Sequence, residues 1–194
     1  KAWKIPEGTS ISRGKSLFNI LPLKNHQSIS SIMPYPDKNT DSKDMFIIFA
    51  TANGKIRKNN LEDFSSINTS GKIAMKLSPN DKITGVKICK DDQDIMLNTK
   101  FGKCIRFESK KLRVFKGRSS KGIKGINLSE KDTIVSLSIV DKDDNKKNKN
   151  KTKDEKTETK AKEKFILSIT ENGYGKRTSH YDFRVTNRGG KGII

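Results

Sequence analysis

The sequence predicts an all-β fold made of repeated four-stranded antiparallel blades, a propeller-like array. A tight turn ending in glycine recurs between two strand-like segments, at Gly54, Gly102 and Gly173. A basic, glycine-rich loop follows after 17, 20 and 19 residues, at Gly71, Gly122 and Gly192. No stretch carries sustained helical periodicity, and the turn glycines are 48 and then 71 residues apart. The repeat is therefore about 50 residues long, and the chain is expected to be a fragment that starts and stops inside repeat units.

Residues 1–44 are predicted to hold the end of one blade and a linking loop. Arg13-Gly-Lys15 is a further copy of the basic loop alone, and short strands are predicted at Leu17–Leu21 and Ser28–Met33. Two prolines among small polar residues then indicate a loop.

Residues 45–93 are the second predicted blade. Its opening strand is a continuous apolar run, which is typical of a strand buried on both faces. Asn53-Gly54 predicts a type I′ hairpin turn, and cations then alternate with Ile56 as in a strand. The predicted strands lie at Met45–Thr51, Lys55–Lys58, the end of Gly71–Leu77, and Ile83–Ile88.

Residues 94–140 are the third predicted blade, with strands at Asp94–Thr99, Lys103–Phe107 and Ile134–Val140. Residues 141–164 then interrupt the pattern with a Lys-, Asn-, Asp- and Glu-rich segment that has no large apolar residue. Such a segment cannot bury enough surface to offset its ordering entropy, so it is predicted to be a disordered insertion. Residues 165–194 start a further blade.

The formal net charge is +19, from 41 Lys and Arg against 22 Asp and Glu. The insertion holds ten Lys and seven acids, a net +3, so +16 remains in the repeats. A strongly basic folded part indicates a polyanionic partner, most often nucleic acid. An alternative is that an AT-rich genome enriches Lys, Asn and Ile passively.

The sequence offers no catalytic and no metal-binding pattern. It has no Walker loop, no GxSxG, no HExxH and no clustered carboxylates. Cys89, Cys104, His26 and His180 are too few and too scattered for a zinc site, and the simplest interpretation is reduced thiols in a cytosolic protein. The apolar runs are too short to span a membrane.

The cations recur in register with the glycines. Lys58, Arg106 and Arg177 each stand four residues after a turn glycine. Equivalent positions of repeated blades recur along one rim, so these cations are predicted to form a curved track for DNA phosphates. Any single pair of strand cations is more often a solvated face, and the repetition favours the track. The predicted DNA-binding residues are Arg13, Lys15, Lys55, Arg57, Lys58, Lys72, Lys103, Arg106, Arg118, Lys121, Lys124, Lys176, Arg177, Arg188 and Lys191, and the predicted structural glycines are Gly14, Gly54, Gly71, Gly102, Gly122, Gly173 and Gly192.

Four motifs in order resemble the C-terminal domain of the A chain of DNA gyrase, gyrase A. They are Asn19-Ile-Leu-Pro-Leu23, Ala52-Asn-Gly-Lys55, Lys121-Gly-Ile-Lys-Gly-Ile126 and Thr170-Glu-Asn-Gly-Tyr-Gly-Lys-Arg177. The resemblance implies a β-pinwheel of four-stranded blades that wraps double-stranded DNA without sequence specificity. It also implies partnership with the rest of gyrase A and with gyrase B in the bacterial cytoplasm, where ATP and Mg act on other parts of the holoenzyme to introduce negative supercoils.

The chain departs from the family pattern in three respects: the position of its box, the absence of the catalytic domain, and the Lys-rich insertion at residues 141–164. The family carries a Gln-Arg-Arg-Gly-Gly-Lys-Gly box in its first blade, whereas Arg188–Gly192 follows Asn187 in a late blade. The box itself is expected upstream of Lys1. The family's catalytic tyrosine belongs to another domain, so Tyr35, Tyr174 and Tyr181 inherit no role. Two alternatives stay open: the equivalent C-terminal domain of topoisomerase IV, and a propeller-type protein-interaction module.

Overall fold

A computed structural model describes residues 5–24, 27–36, 42–68, 71–117, 119–142 and 163–194. In these residues the fold is all-β, as predicted, with short 3-10 turns between strands. The strands are β1 (Phe46–Thr51), β2 (Lys55–Asn60), β3 (Ile83–Cys89), β4 (Gln93–Thr99), β5 (Cys104–Glu108), β6 (Ile123–Lys124), β7 (Ile134–Asp141), β8 (Phe165–Ile169) and β9 (Gly175–Ser179). The 3-10 turns are Leu17–Asn19, Leu61–Phe64, Ser109–Lys111 and His180–Asp182.

The strands form three antiparallel sheets. The first sheet has the order β3-β1-β2-β6, the second β5-β4-β7, and the third is the hairpin β8-β9. Each sheet contains one hairpin, β1-β2, β4-β5 or β8-β9, and in the first two sheets a later strand pairs with the hairpin's first strand. The predicted opening hairpins are therefore confirmed at all three sites.

The short strand β6 crosses from one unit into the preceding sheet. It follows β5 in the chain, yet Ile123 pairs with Ile56 of β2. The second sheet repeats the crossing, because Ile193 forms an antiparallel bridge with Cys104 of β5. The predicted contiguous blades, 45–93 and 94–140, do not anticipate this exchange. A two-residue strand carries no period in the sequence, and its place depends on the tertiary fit.

Glycine permits this close crossing. Gly122 lies against β2 and Gly192 against β5, and their φ values are 75° and 77°. A Cβ atom at Gly192 would lie 2.9 Å from the carbonyl oxygen of Cys104, and one at Gly122 would overlap the carbonyl of Ile56. A side chain at either position would push the loop off the strand.

The hairpin turns differ from the predicted type I′ turn. Among the described residues around the first turn, only Gly54 has a positive φ, and its N–H donates to the carbonyl of Thr51 at 3.1 Å. This is a type I turn followed by a left-handed glycine, a three-residue hairpin loop. The hydroxyl of Thr51 also accepts from the N–H of Lys55 at 3.2 Å. Thr99 and Thr170 make the same hydroxyl contact in the other two hairpins.

The main core lies between the first two sheets. Ile48 and Ile56 of the first sheet and Leu97 and Phe107 of the second are buried in one cluster. Gly85 on β3 lets that strand approach β7 closely, since a Cβ there would lie 2.8 Å from Cβ of Leu137. The third unit joins through Ile166 of β8 and Phe183 after the last 3-10 turn, which pack against the cluster of Met96 and Val140. Burial of these apolar side chains is the main term that holds neighbouring sheets together.

Three predicted strands are wrong. Leu17–Asn19 forms a 3-10 turn, because the Ser16 hydroxyl accepts from the N–H of Phe18 and caps the turn. Residues 28–33 and 71–77 form no strand. Lys76 in the second of these segments donates its N–H to the carbonyl of Ser120, which is a loop contact rather than a ladder. Alternating apolar residues do not make a strand where no partner edge lies alongside.

Most of the predicted insertion, residues 143–162, lies outside the described residues. Its predicted boundaries change, because Asp141 is the last residue of β7. Lys164, just before β8, makes an ion pair with Asp141 at 2.8 Å from Nζ to Oδ2. The two sides of the segment are therefore tied together at its base.

Candidate nucleic-acid interface

Three glycine-rich loops touch one another in sequence order. We call residues 71–76, 119–127 and 188–192 the loop ridge. The N–H of Lys76 donates to the carbonyl of Ser120 at 3.2 Å, which joins the first loop to the second. The N–H of Gly189 donates to the carbonyl of Gly125 at 2.7 Å, and that of Asn127 to Gly190 at 2.8 Å. Backbone hydrogen bonds thus fix the distance from each loop to the next.

The ridge carries cations and no acid. Asp and Glu are absent from residues 71–80, 109–129 and 183–194. The ion pairs found in the described residues involve other cations, on the strands, in the second hairpin turn or beside the insertion. The positive potential of the ridge is therefore not neutralised by a carboxylate on the same loops.

Two cations face each other across strands at the edge of the ridge. Lys55 on β2 and Lys124 on β6 are directly opposite each other. Like charges in this arrangement repel. Arg188 of the next loop donates from Nη1 to the carbonyl of Lys124 at 3.1 Å, which adds a third cation. Three repeats thereby contribute one positive side chain each to one small surface, a geometry that suits a phosphate.

Arg57 holds the second loop from inside. Its guanidinium donates to the carbonyls of Ser120, at 2.8 Å, and of Gly117, and its Nε donates to Asn59 at 2.8 Å. The guanidinium also lies 5.2 Å from the centre of the Phe115 ring. Arg57 is 1% exposed, so it shapes the loop and does not reach a ligand. Burial lowers the pKa of Arg57, and Asp63 opposes this effect.

The third loop lacks this internal support. At the positions of Arg57 and Phe115, counted from the turn glycine and from the 3-10 turn, stand Ile105 and Thr186. A cleft of about 200 Å³ opens between β5 and residues 184–193, and Arg184 and Lys191 line it. The third loop therefore borders a cleft lined by two cations, whereas Arg57 and Phe115 occupy the corresponding space beside the second loop.

The predicted track is wrong at Arg57, Lys58 and Arg106. These side chains are 1%, 1% and 3% exposed, and their donors are taken by protein acceptors. Strand β2 is covered on both faces, because Ile56 faces the main core and Arg57 contacts Phe115, Gly117 and Ser120 of the next unit. A cation on such a strand must bind carbonyls or a carboxylate, since an unpaired buried charge is very costly.

Arg106 makes the most complete of these buried networks. Its guanidinium pairs with Asp94 at 2.8 Å and donates to the carbonyls of His180, at 2.7 Å, and Phe183, at 3.3 Å. Burial raises the pKa of Asp94, and the hydrogen bond from Arg106 works against that rise. Oδ1 of Asp94 is buried with no hydrogen-bond partner in the described residues.

The remaining predicted residues fall into five groups. Lys121, Lys124, Arg188 and Lys191 are exposed on the ridge, and Lys72 is half-buried there with its amine bonded to the carbonyl of Asp63. Lys55 and Lys103 are half-buried beside the hairpin turns, and Lys176 and Arg177 are exposed on β9. Arg13 and Lys15 are exposed near the start of the chain. Arg118 lies outside the described residues.

Six of the seven predicted glycines adopt positive φ, and Gly14 does not. The six are Gly54, Gly71, Gly102, Gly122, Gly173 and Gly192. Gly189, which the sequence reasoning missed, joins them with φ 82°. Lys76 and Arg184 were also missed, although the acid-free stretches around them were visible in the sequence.

The thiols and histidine of the described residues are structural. Cys89 and Cys104 are free and buried, and burial raises the pKa of Cys104 to about 12, so its reactive thiolate is suppressed. His180 is fully buried and packs on Tyr181. The described part of the chain holds no group of three or more metal-ligating side chains. It also holds no helix long and apolar enough to cross a membrane.

The chain resembles solved structures over nearly its whole length. The C-terminal domain of a DNA topoisomerase IV superposes with a TM-score of 0.72 at 22% identity, covering 93% of this chain and 49% of that one. A DNA gyrase A C-terminal domain superposes with a TM-score of 0.70 at 24% identity, covering 94% and 53%. At these identities the likeness shows the fold alone, and it does not separate the two enzymes.

Comparison with sequence relatives identifies the family as well as the fold. DNA gyrase A of Rickettsia bellii is 37% identical over 222 aligned residues, covering 100% of this chain and 24% of the relative. DNA gyrase A of Granulibacter bethesdensis is 33% identical, covering 100% and 25%. The chain thus spans about a quarter of the length of these relatives. The family model described as DNA gyrase C-terminal domain, beta-propeller, matches residues 46–90, 93–141 and 164–194. The chain belongs to the DNA gyrase C-terminal domain family.

Proposed function

We propose that the chain binds double-stranded DNA along the loop ridge and wraps it without reading its sequence. The observation that carries the proposal is the contact between successive loops, which holds acid-free, cationic segments of three repeats at fixed spacing. Phosphates recur regularly along a duplex, so a regular row of cations matches the backbone and needs no base contact.

The proposed contacts are the accessible cations of the ridge and its neighbours. Lys55, Lys124 and Arg188 form the central group, and Lys121 and Lys191 extend it along the second and third loops. The N–H groups of glycine-rich loops can also approach phosphate closely. Arg57, Lys58 and Arg106 are left out, because they are buried.

Wrapping has an energetic cost that repeated contacts must offset. Bending 20–30 base pairs by 40–90° costs on the order of 1–6 kcal/mol. Contacts that recur each time the backbone returns to the protein offset such a cost in other DNA-wrapping proteins. A ridge running across three repeats supplies contacts in this manner.

In the cell we place the chain within a gyrase-type type II topoisomerase. The partners in this proposal are the remainder of a gyrase A polypeptide and a gyrase B polypeptide in the bacterial cytoplasm, close to the nucleoid. ATP would be hydrolysed on gyrase B, and wrapping would give strand passage its direction towards negative supercoils. The 33–37% identity to gyrase A relatives favours this assignment over topoisomerase IV.

A salt titration tests the binding proposal. With Z phosphate contacts, log affinity falls against log salt with a slope near −0.9Z. We expect a steep slope that is the same for duplexes of unrelated sequence. A flat slope, or strong preference for one sequence, would contradict the proposal and would favour a protein-interaction module.

A further inference from the structure

Lys58 and Arg106 stand at one repeat position, four residues after Gly54 and Gly102. Both were expected on an exposed rim, and both are buried. Two buried cations therefore occupy equivalent positions in successive sheets, and their hydrogen bonds show what they hold.

Each side chain reaches forward to the next unit. Lys58 donates from Nζ to the carbonyl of Ser109 at 3.2 Å, and Arg106 donates from Nη1 to the carbonyl of His180 at 2.7 Å. Ser109 and His180 are the first residues of the 3-10 turns that follow β5 and β9. Each cation therefore binds the start of the connector that leaves the next hairpin.

Each backbone binds the far end of the same connector. The carbonyl of Lys58 accepts the N–H of Phe115, and that of Arg106 accepts the N–H of Thr186, both at 2.8 Å. The bridges are parallel and pair Lys58 with Val114 and Arg106 with Val185. One residue thus holds both ends of a segment of about seven residues, and that segment leads directly into the loop ridge.

Lys58 and Arg106 differ in the carboxylate that pairs with them, but both donate to a carbonyl of the next unit. Lys58 is neutralised by Asp91 and lies 3.9 Å above the centre of the Phe46 ring. Arg106 pairs with Asp94, which occupies the position of Phe46 in its own hairpin. The shared chemistry is donation to the carbonyl of the next unit. Arg177, the third copy, is exposed and lies 4.3 Å above the Phe165 ring.

We propose that Lys58 and Arg106 are positioning residues that fix the connector of the following unit and thereby set the spacing of the loops in the ridge. They touch no DNA themselves. The effect on DNA rests on the proposed function, whereas the effect on the connector does not. Changing either residue should loosen one junction, and the loops on its two sides should lose their register.

Hydrogen exchange tests the junction without DNA. The variant Arg106→Lys keeps the charge but cannot make the several donations of a guanidinium. We expect the amide of Thr186 to exchange at least about tenfold faster, with the amide of Phe115 unchanged, because only one junction opens. Lys58→Met should give the reverse pattern. Arg177→Lys is the matched control and should change neither amide. Unchanged exchange at Thr186 in Arg106→Lys, or equal acceleration at both amides, would overturn the proposal.

DNA binding tests the consequence. The double variant Asp94→Asn with Arg106→Gln keeps the net charge and leaves no unpaired buried ion. We expect its salt slope to equal that of the parent, while end-to-end energy transfer across a labelled duplex falls because the DNA is bent less. Arg188→Gln should instead lower the slope by about 0.9. A slope loss of that size in the double variant would make Arg106 a phosphate contact and overturn the proposal.

Hydrogen exchange and DNA bending distinguish a failure of the junction proposal from a failure of the proposed function. If no variant or parent bends DNA, the proposed function fails, and the exchange pattern still decides the junction. If the double variant does not fold, Arg106→Lys serves for the bending measurement. Parental bending by Arg106→Lys, despite accelerated exchange at Thr186, would contradict the claim that the junction sets loop spacing.

Discussion

Lys55 and Lys124 lie directly opposite each other on β2 and β6, two strands that come from different repeats. Lys124 also bonds to Asn127, and its carbonyl accepts from Arg188. Cross-strand like charges are destabilising, so this surface stores repulsion that an anion would relieve. Proteins tolerate such unfavourable local pairings mainly at functional or strained sites.

Lys124→Gln should therefore have opposite effects on folding and on binding. We expect the free energy of unfolding to rise by about 0.2–1 kcal/mol, because the repulsion with Lys55 disappears. The salt slope of DNA binding should fall by about 0.9, because one phosphate contact is lost. Urea unfolding and a salt titration measure the two quantities. Val135→Thr, at an exposed position on β7, is the control and should change neither. A loss of stability in Lys124→Gln would contradict the repulsive pairing.

Gly122→Ala should lower the free energy of unfolding far more than Gly71→Ala does, although both glycines occupy the same loop position in their repeats. Both have positive φ, which costs an L residue about 1–2 kcal/mol. Gly71 has open space around a Cβ, whereas a Cβ at Gly122 would overlap the carbonyl of Ile56. We expect a loss of about 1–2 kcal/mol for Gly71→Ala and of more than about 3 kcal/mol for Gly122→Ala. Equal losses in urea unfolding would mean that β6 does not pack on β2 as described.

Arg57→Met should destabilise the fold through the loop it holds. Oδ1 of the buried Asn59 would lose its donor, and a buried unsatisfied group costs about 1–3 kcal/mol. The carbonyls of Gly117 and Ser120, on residues nearer the surface, would lose their donor as well. Arg188→Met removes an exposed arginine and should change the free energy of unfolding by less than about 0.5 kcal/mol. Chemical denaturation of the two variants checks the contrast. Similar stabilities would show that Arg57 is not a structural residue.

Asp141 should make stability depend on acidity. Hydrogen bonds from Lys164 and Gln93 hold the pKa of this carboxyl below its usual range. Its stabilising contribution is then present above the unfolded pKa, about 3.9, and is lost as the pH falls through the depressed folded pKa. Asp141→Asn should be less stable than the parent at pH 6, and the difference should shrink as the pH falls below the unfolded pKa of about 3.9. A difference that persists unchanged in acid would contradict the ionic role of Asp141.

The hairpins could be predicted from sequence because their signals are local. A turn glycine at Gly54, Gly102 or Gly173 lies between segments of strand character, and the apolar run at Met45–Thr51 indicates a buried strand. The exchange of β6 could not be predicted, since two residues carry no period. Its partner is chosen by the fit of Gly122 on Ile56, which lies 66 residues away in the chain.

The candidate site was predicted in its loops and misjudged on its strands. Alternation placed Lys55 and Arg57 on one face, and such a face is usually solvated. Here a connector covers that face, so Arg57 is buried and only the edge residue Lys55 stays accessible. Arg106 stands at the position of Lys58, on the other face, and is buried because Asp94 and the carbonyls of His180 and Phe183 surround its guanidinium. Arg177 at the same repeat position is exposed. Repeat position alone therefore does not determine exposure.

The linking number of closed circular DNA tests the central claim, that the loop ridge wraps duplex DNA. The chain is bound to relaxed circles, a nicking-closing enzyme relaxes the free DNA, and the protein is removed before the linking number is read. We expect a shift of one sign that grows with bound protein and that is much smaller for the double variant Lys124→Gln with Arg188→Gln. Binding without any shift, or an undiminished shift in that variant, would contradict wrapping along the ridge.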